Sequence, residues 1–223
     1  MRQAQIYRVR SSRWVYGDAQ TLAELDATSF DYKSQAGAKL ALAAARQLNE
    51  YHPSAGVEVL ILALIDRGVP LTTKIGSVSL GAALVQAAAA QGREDLFAKL
   101  SERSVLKLMS RPELTSAFMG VGCSAKIARS LVEHGAEPHV VGDNGTALTR
   151  LRGSGSSCEG NSDKMLETAR TLIALGVPLE APDNLGWAAL MGSDSPKLAQ
   201  LLLAHSANPN ARAKNDTTPA GNR

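Results

Sequence analysis

The chain has 223 residues, 44% hydrophobic but only 4% aromatic, with 24 Lys and Arg against 21 Asp and Glu. A net charge of +3 over this length is a mild imbalance and does not demand a nucleic-acid or membrane partner. The apolar residues are mostly Ala and Leu, which favour helix and close helix packing over a β-sandwich core, so an all-α fold is expected.

Residues 1–36 are read as an N-terminal capping segment. Arg2, Arg8, Arg10 and Arg13 precede the first acid, Asp18, with Tyr7, Trp14 and Tyr16 interleaved. Such an arm can dock on phosphates or on an acidic protein. The preferred alternative has Ile6, Val9, Trp14 and Val15 covering the open end of a core, because four arginines make a weak patch. The first residues lack an apolar signal core, and the longest apolar stretches, 57–65 and 81–90, are far too short to span a membrane. A soluble, cytoplasmic protein is expected, or a periplasmic or secreted one had a signal been removed before the first residue.

From residue 37 onward five segments share one pattern. They end at Gly68, Ser104, Gly135, Gly176 and Ser206, spaced 36, 31, 41 and 30 residues apart. Four residues before each anchor stands Leu: Leu64, Leu100, Leu131, Leu172 and Leu202. Eight before stand Leu60, Leu96, Ile127, Thr168 and Leu198, and seven before Ile61, Phe97, Ala128, Ala169 and Ala199. This i, i+1, i+4 spacing marks the buried face of a helix of about three turns. The anchor lies just beyond the helix end, where a left-handed backbone favours Gly; Ser104 and Ser206 fit it less well.

Two units are long. From Leu40 to Gly68 and from Leu148 to Gly176 there are 28 residues, against 19 from Val85 to Ser104. The inserts, 49–56 and 153–162, fall between the two helices of their units, and in a repeat stack they emerge on one side. The Gly/Ser-rich second insert is expected to be mobile. It lacks a phosphate-loop pattern and no strand leads into it.

These features resemble the ankyrin-repeat family, whose units open D-x-x-G-x-T-P-L-H, turn at A-A-x-x-G and close on L-L-x-x-G-A-x-x-N. Ala88-Ala-Ala-Gln-Gly92, the set Asp183, Gly186 and Leu190, and Ala207-Asn-Pro-Asn210 carry the resemblance. It implies a helix–turn–helix solenoid of about five repeats, at 37–74, 75–107, 108–141, 142–182 and 183–214, with insertions in repeats 1 and 4 and a tail at 215–223. No unit carries the full T-P-L-H; Thr146-Ala-Leu-Thr149 and Ala188-Ala-Leu-Met191 stand in its place. Less sharply started first helices are therefore expected. Asn215-Asp-Thr-Thr-Pro219 looks like the opening of a further, incomplete repeat.

Nothing in the pattern demands chemistry. His134 and His205 fall at equivalent helix ends, where a His bonds the last carbonyls. His134 and His139 straddle a turn without a third metal ligand, and no metal or cofactor is expected. Glu94 and Asp95 suit a helix N-terminus, and Asp143 and Asp183 a hairpin turn. Cys123 sits in a helical pattern and reads as a small buried hydrophobe, while Cys158 lies in the Gly/Ser loop and reads as exposed. Their pairing is left open, with reduced thiols as the default.

The resemblance implies a non-enzymatic scaffold that binds another protein through its concave surface. Candidate contacts are Lys74, Ser77, Lys107, Arg111, Asn144, Arg150, Asn184 and Trp187, with Tyr51 in the first insert. Trp187 is either a binding hot spot or a shield for the thin end of the stack. The expected role is that of an immunity or inhibitor protein neutralising a toxin or effector, in the style of bacterial ankyrin proteins. The alternatives are a secreted effector that binds a host protein, a nucleic-acid factor using residues 1–13, and a hydrolase with an unrecognised site. Membrane, nucleic-acid and small-molecule partners are not expected.

Overall fold

The computed structural model describes residues 19–48, 56–151, 158 and 160–219. The basic arm, Tyr51 with His52, and most of both inserts lie outside them. The fold is mostly helical, and the chain divides into two compact units, 1–80 and 81–223.

In the first unit, α1 (Ala19–Ala27) leads to α2 (Gln35–Gln47) and α3 (Gly56–Asp66). Ser34 starts α2, its hydroxyl accepting the Gly37 N–H at 3.4 Å. Ala38, Ala41 and Ala45 form the buried face of α2, which packs against α3, itself buried through Val57, Leu60, Ile61 and Leu64. Small side chains on one partner and large ones on the other let the helices interlock. Beyond α3 lies a short antiparallel hairpin of β1 (Lys74–Ile75) and β2 (Val78–Ser79).

One polar cluster ties the start of this unit to its end. The Arg67 guanidinium donates to both carboxylate oxygens of Asp26, at 3.1 and 2.7 Å, and the Tyr32 hydroxyl donates to the same carboxylate at 2.6 Å. Arg67 also lies over the Tyr32 ring, 5.6 Å from its centre. The Arg67 and Tyr32 hydrogen bonds hold the Asp26 carboxyl down to about 2. Desolvation, then the hydrogen bond to Asp26 and its charge, push the Tyr32 phenol up to about 12.

The second unit is built from α4 (Leu80–Ala90, its first residue at the unit boundary), α5 (Glu94–Glu102), α6 (Arg111–Met119), α7 (Ala125–Glu133), α8 (Ala147–Arg150), α9 (Ser162–Ala174) and α10 (Pro196–Ala204). The second helices pack in sequence order, α5 on α7, α7 on α9, and α9 on α10. Their shared apolar face is buried as the spacing predicts, at every −8, −7 and −4 position except the half-buried Ala199. Side-chain bonds cross between neighbours. Ser124 caps α7 by accepting the Ile127 N–H and donates to Glu94 at 2.8 Å, and Lys126 pairs with Glu94 at 3.1 Å. Burial opposes ionisation of Glu94, but Ser124, Lys126 and the charge of Lys164 outweigh it and hold its carboxyl below the usual range.

All five anchors close their helices in the same way. Their φ angles are +86° at Gly68, +59° at Ser104, +106° at Gly135, +82° at Gly176 and +69° at Ser206. The N–H of the next residue then reaches back to the carbonyl of the Leu four before the anchor, at 2.9 to 3.2 Å in every case. This is the six-to-one bond of a Schellman ending. His134 bonds the Ser130 carbonyl at 2.8 Å, the helix-end role expected of it.

The first helices are irregular, and not as the sequence suggested. Thr146 starts α8 sharply, its hydroxyl accepting the Thr149 N–H at 3.2 Å, yet α8 has only 4 residues. Residues 188–191 form no helix at all, although all four are buried. Ser195 and Pro196, the cap and first residue of α10, follow too closely for a helix and a turn to fit before them.

The cysteines correct the sequence reading. Cys123 lies in the turn between α6 and α7 and not in a helix, and Cys158 is buried and not exposed. They form a disulfide with Cα atoms 5.0 Å apart. The physical reason is that both belong to turns between the paired helices of consecutive units, which the packing of α7 on α9 brings together. In a chain-entropy description, closing a loop of this 35-residue separation stabilises the fold by roughly 4 kcal/mol. Among the described residues no helix is long and apolar enough to cross a membrane.

Replacing Ser104 by Gly relieves a left-handed non-glycine residue and should raise stability by about 0.5 kcal/mol. Gly176→Ala places a Cβ 2.6 Å from the His139 ring at φ +82° and should cost about 2 kcal/mol. Urea unfolding of the two variants checks both signs. For the acid limb, the Asp26 carboxyl is depressed in the fold, so its contribution is complete above its ordinary value near 4 and lost as pH falls toward 2. The gap in melting temperature between the wild-type chain and Asp26→Asn should therefore close over that interval.

Candidate functional site

Three hairpin turns of the second unit are built alike. Gly142 and Gly145 exchange both backbone hydrogen bonds, at 3.0 and 2.9 Å. Asp183 bonds the Trp187 carbonyl through its N–H, and its carboxylate accepts the N–H groups of Leu185 and Trp187, each at 2.9 Å. Ala213 bonds the Thr217 carbonyl at 3.0 Å, with Asn215 accepting the Thr217 N–H at 3.2 Å. The turns are linked to one another: Asn184 N–H donates to the Asp143 carbonyl at 2.8 Å, and Lys214 N–H to the Leu185 carbonyl at 3.1 Å. Gly186 sits at the crossing, where a Cβ would lie 2.8 Å from the Lys214 nitrogen. His139 adds a side-chain link, its Nδ1 lying 2.8 Å from the Gly176 carbonyl.

Beside the first of these turns lies a cleft of about 520 Å³. One wall is the face of α6 that carries Arg111, Thr115 and Met119, with Ser116 beside them; the others are Glu137 with Val140 and Gly142–Gly145, and Arg150 at the end of α8. The capping interaction of Ser110, whose N–H and hydroxyl both donate to the Glu113 carboxylate at 2.8 Å, fixes where α6 begins and so where Arg111 stands. Arg111 pairs with Glu137 at 3.1 Å and donates to the Gly135 carbonyl at 3.3 Å. The Thr115 hydroxyl accepts the Glu137 N–H at 3.0 Å, holding the hairpin against the helix. Arg150 and Asn144 are exposed, and among the described residues neither side chain has a hydrogen-bond or ion-pair partner. Asp143, the other lining charge, is exposed too.

Of the residues singled out from sequence, Arg111, Asn144 and Arg150 come together in this cleft. Asn184 is exposed on the next turn, hydrogen-bonded to Asp143 through the backbone, and Trp187 is half-buried at its end. Lys107 is exposed in the 3-10 turn Leu106–Leu108 and does not line the cleft. Lys74 and Ser77 are exposed on the hairpin of the first unit. Tyr51 lies outside the described residues. Sequence reading missed Thr115, Ser116, Met119, Glu137 and Val140. The four-residue spacing of Arg111, Thr115 and Met119 was a usable signal, since these share a helix face. Glu137 and Val140 gave none, because only the folded hairpin brings them to α6.

Among the described residues no group of three or more His, Cys, Asp or Glu side chains is placed to share a metal ion. No protein-family model matches this chain, and no curated protein matches it in sequence.

Proposed function

We propose that this chain is a non-enzymatic, ankyrin-like scaffold that binds another protein, with the cleft of Arg111, Asn144 and Arg150 as its contact centre. The observation that carries the reading is the combination in one open cleft of an unengaged cation and carboxamide with apolar contact surface from Met119 and Val140. The repeated helix endings, the ordered packing of α5, α7, α9 and α10, and the linked hairpin turns support the ankyrin-like part. A stack of this kind leaves its turns and first helices as an extended surface for a partner. The role expected of it is neutralisation of a cognate toxin, effector or enzyme, with engagement of a host protein as the second setting.

The disulfide bears on where this happens. Structural disulfides persist in oxidising compartments, so Cys123–Cys158 favours a periplasmic or secreted protein over a cytoplasmic one. Nothing among the described residues favours the nucleic-acid alternative, whose arm lies outside them.

The test is affinity capture from the native organism with wild-type and Arg150→Glu chains. A specific partner should be retained by the wild type and its affinity lowered on the order of 10-fold or more by the charge reversal. The melting temperature should stay unchanged, because the Arg150 side chain makes no hydrogen bond or ion pair among the described residues. Equal capture by both chains removes the cleft from the site. Salt-sensitive binding to DNA or RNA that disappears when residues 1–13 are deleted would put the arm in its place.

A further inference from the structure

The cleft beside the first hairpin turn holds two charges of opposite sign that no described residue answers. Arg150 and Asp143 both line it and both are exposed, and neither side chain forms an ion pair or a hydrogen bond among the described residues. The other two charges of the cleft satisfy each other, since Arg111 pairs with Glu137 at 3.1 Å. The Asn144 carboxamide and the Ser116 hydroxyl, exposed on the same walls, also have no partner among the described residues.

Both lone charges stand on a fixed frame. Arg150 is the first exposed residue after Thr146, Ala147, Leu148 and Thr149, which are 0 to 2% exposed. Thr149 Oγ1 donates to the Ala181 carbonyl at 3.3 Å, and Leu151, on the other side of Arg150, is buried too. Asp143 sits in the turn that Gly142 and Gly145 close by exchanging backbone bonds, and its own carbonyl accepts the Asn184 N–H at 2.8 Å. Gly142 lets this turn approach α6, since a Cβ there would lie 3.4 Å from the Met119 Cε. Met119 and Val140, both half-buried, give the cleft its apolar surface. Walls held in this way leave less for a ligand to order on binding.

Covering the cleft takes water from Arg150 and Asp143 together. A charge that loses its water without gaining a counter-charge weakens a complex more than the missing pair would have strengthened it. A segment with an acid alone answers Arg150 and meets Asp143 as a like charge; a segment with a base alone does the reverse. A wholly apolar segment answers neither. The cleft volume of about 520 Å³ is that of a site enclosing a small ligand, so a short segment enters where a flat surface would not.

We infer that the cleft binds a short dipolar segment of the partner, in which an acid and a base flank an apolar residue. The acid reaches Arg150, the base reaches Asp143, and the apolar side chain lies on Met119 and Val140. This rests on the protein-binding reading above and adds to it the chemistry of the partner's contact.

The experiment titrates the isotope-labelled full chain with blocked tripeptides and follows its backbone amide signals by NMR. The dipolar probes are acetyl-Glu-Leu-Lys-amide and its reverse, acetyl-Lys-Leu-Glu-amide, and the controls replace Glu or Lys by Gln. At least one dipolar probe should shift the signals of Thr115, Met119, Val140, Gly145 and Arg150, with half-saturation at about 1 mM in a titration carried to about 10 mM. Replacing either charge of that probe by Gln should weaken binding about 3-fold or more. The Arg150→Gln and Asp143→Asn chains then tell which charge meets which. Losing the probe's Glu should cost nothing further in Arg150→Gln, and losing its Lys nothing further in Asp143→Asn, while each crossed combination keeps its full cost. Should either variant fail to fold, the wild-type chain with the Gln controls still decides. Absence of shifts, equal binding of dipolar and Gln probes, shifts centred outside the cleft, or uncoupled charge losses overturn the inference. Any of these, with partner capture still lowered by Arg150→Glu, removes the dipolar chemistry and leaves the protein-binding reading. Charge-coupled probe binding with capture indifferent to Arg150→Glu removes that reading and leaves a peptide-binding cleft.

Discussion

The structure depends on one backbone state, the left-handed residue that ends every second helix. At Gly68, Ser104, Gly135, Gly176 and Ser206 the chain turns out of the helix, and the following N–H returns to the carbonyl of the preceding Leu. That Leu is also fully buried, at 0% exposure in all five cases. Helix termination and core packing are therefore set by the same few residues, and shifting the end by one position would rotate the apolar face away from its neighbour. In the second unit this fixes the register of α5, α7, α9 and α10 and the direction in which each hairpin leaves. A Ser at two of the five positions works because the surrounding bonds hold the conformation despite an intrinsic cost of about 1 kcal/mol.

This explains how much was readable in advance. The second helices were legible because their signals are local: the apolar residues at i, i+1 and i+4 and the Gly or Ser anchor lie within nine positions of one another. The first helices were not. Ala188, Ala189, Leu190 and Met191 have good helix propensity, yet Ser195 and Pro196 commit the chain to α10 before a helix and a turn can fit. Propensity lost to the space between two fixed points. The disulfide was illegible for a different reason. No spacing rule joins Cys123 to Cys158, and their proximity follows only from the packing of two helices far apart in sequence. Part of the cleft was visible, since Arg111, Asn144 and Arg150 were already among the candidate contacts. Its remaining wall, Glu137 and Val140, is supplied by a hairpin whose path the sequence does not specify.

Regularity and irregularity are segregated within the second unit. The second helices follow the same pattern throughout, whereas the inner elements shrink from 11 residues in α4 to 9 in α6 and 4 in α8. Shortening α8 places Arg150 at the end of a one-turn helix and brings the 140–145 hairpin into the wall beside it. A cleft thus arises by subtraction from a repeated plan: the packing helices retain the burial that stabilises the unit, and the freed surface falls among elements that contribute less to it. The surface salt bridge of Arg111 with Glu137 adds little stability on its own. It does orient the hairpin against α6, together with the Thr115 hydroxyl bond.

A shortened helix leaves its buried side chains to be held by their neighbours. An uninterrupted helix between Thr146 and the approach of α9 would propagate its own hydrogen bonds, one per residue added after nucleation. Here propagation stops at Leu151, and the buried side chains Ala147, Leu148, Thr149 and Leu151 must be kept in place by their neighbours. The Thr146 cap and the Thr149 bond fix the start of the element. The Cys123–Cys158 bond ties the turn after α6 to the turn before α9.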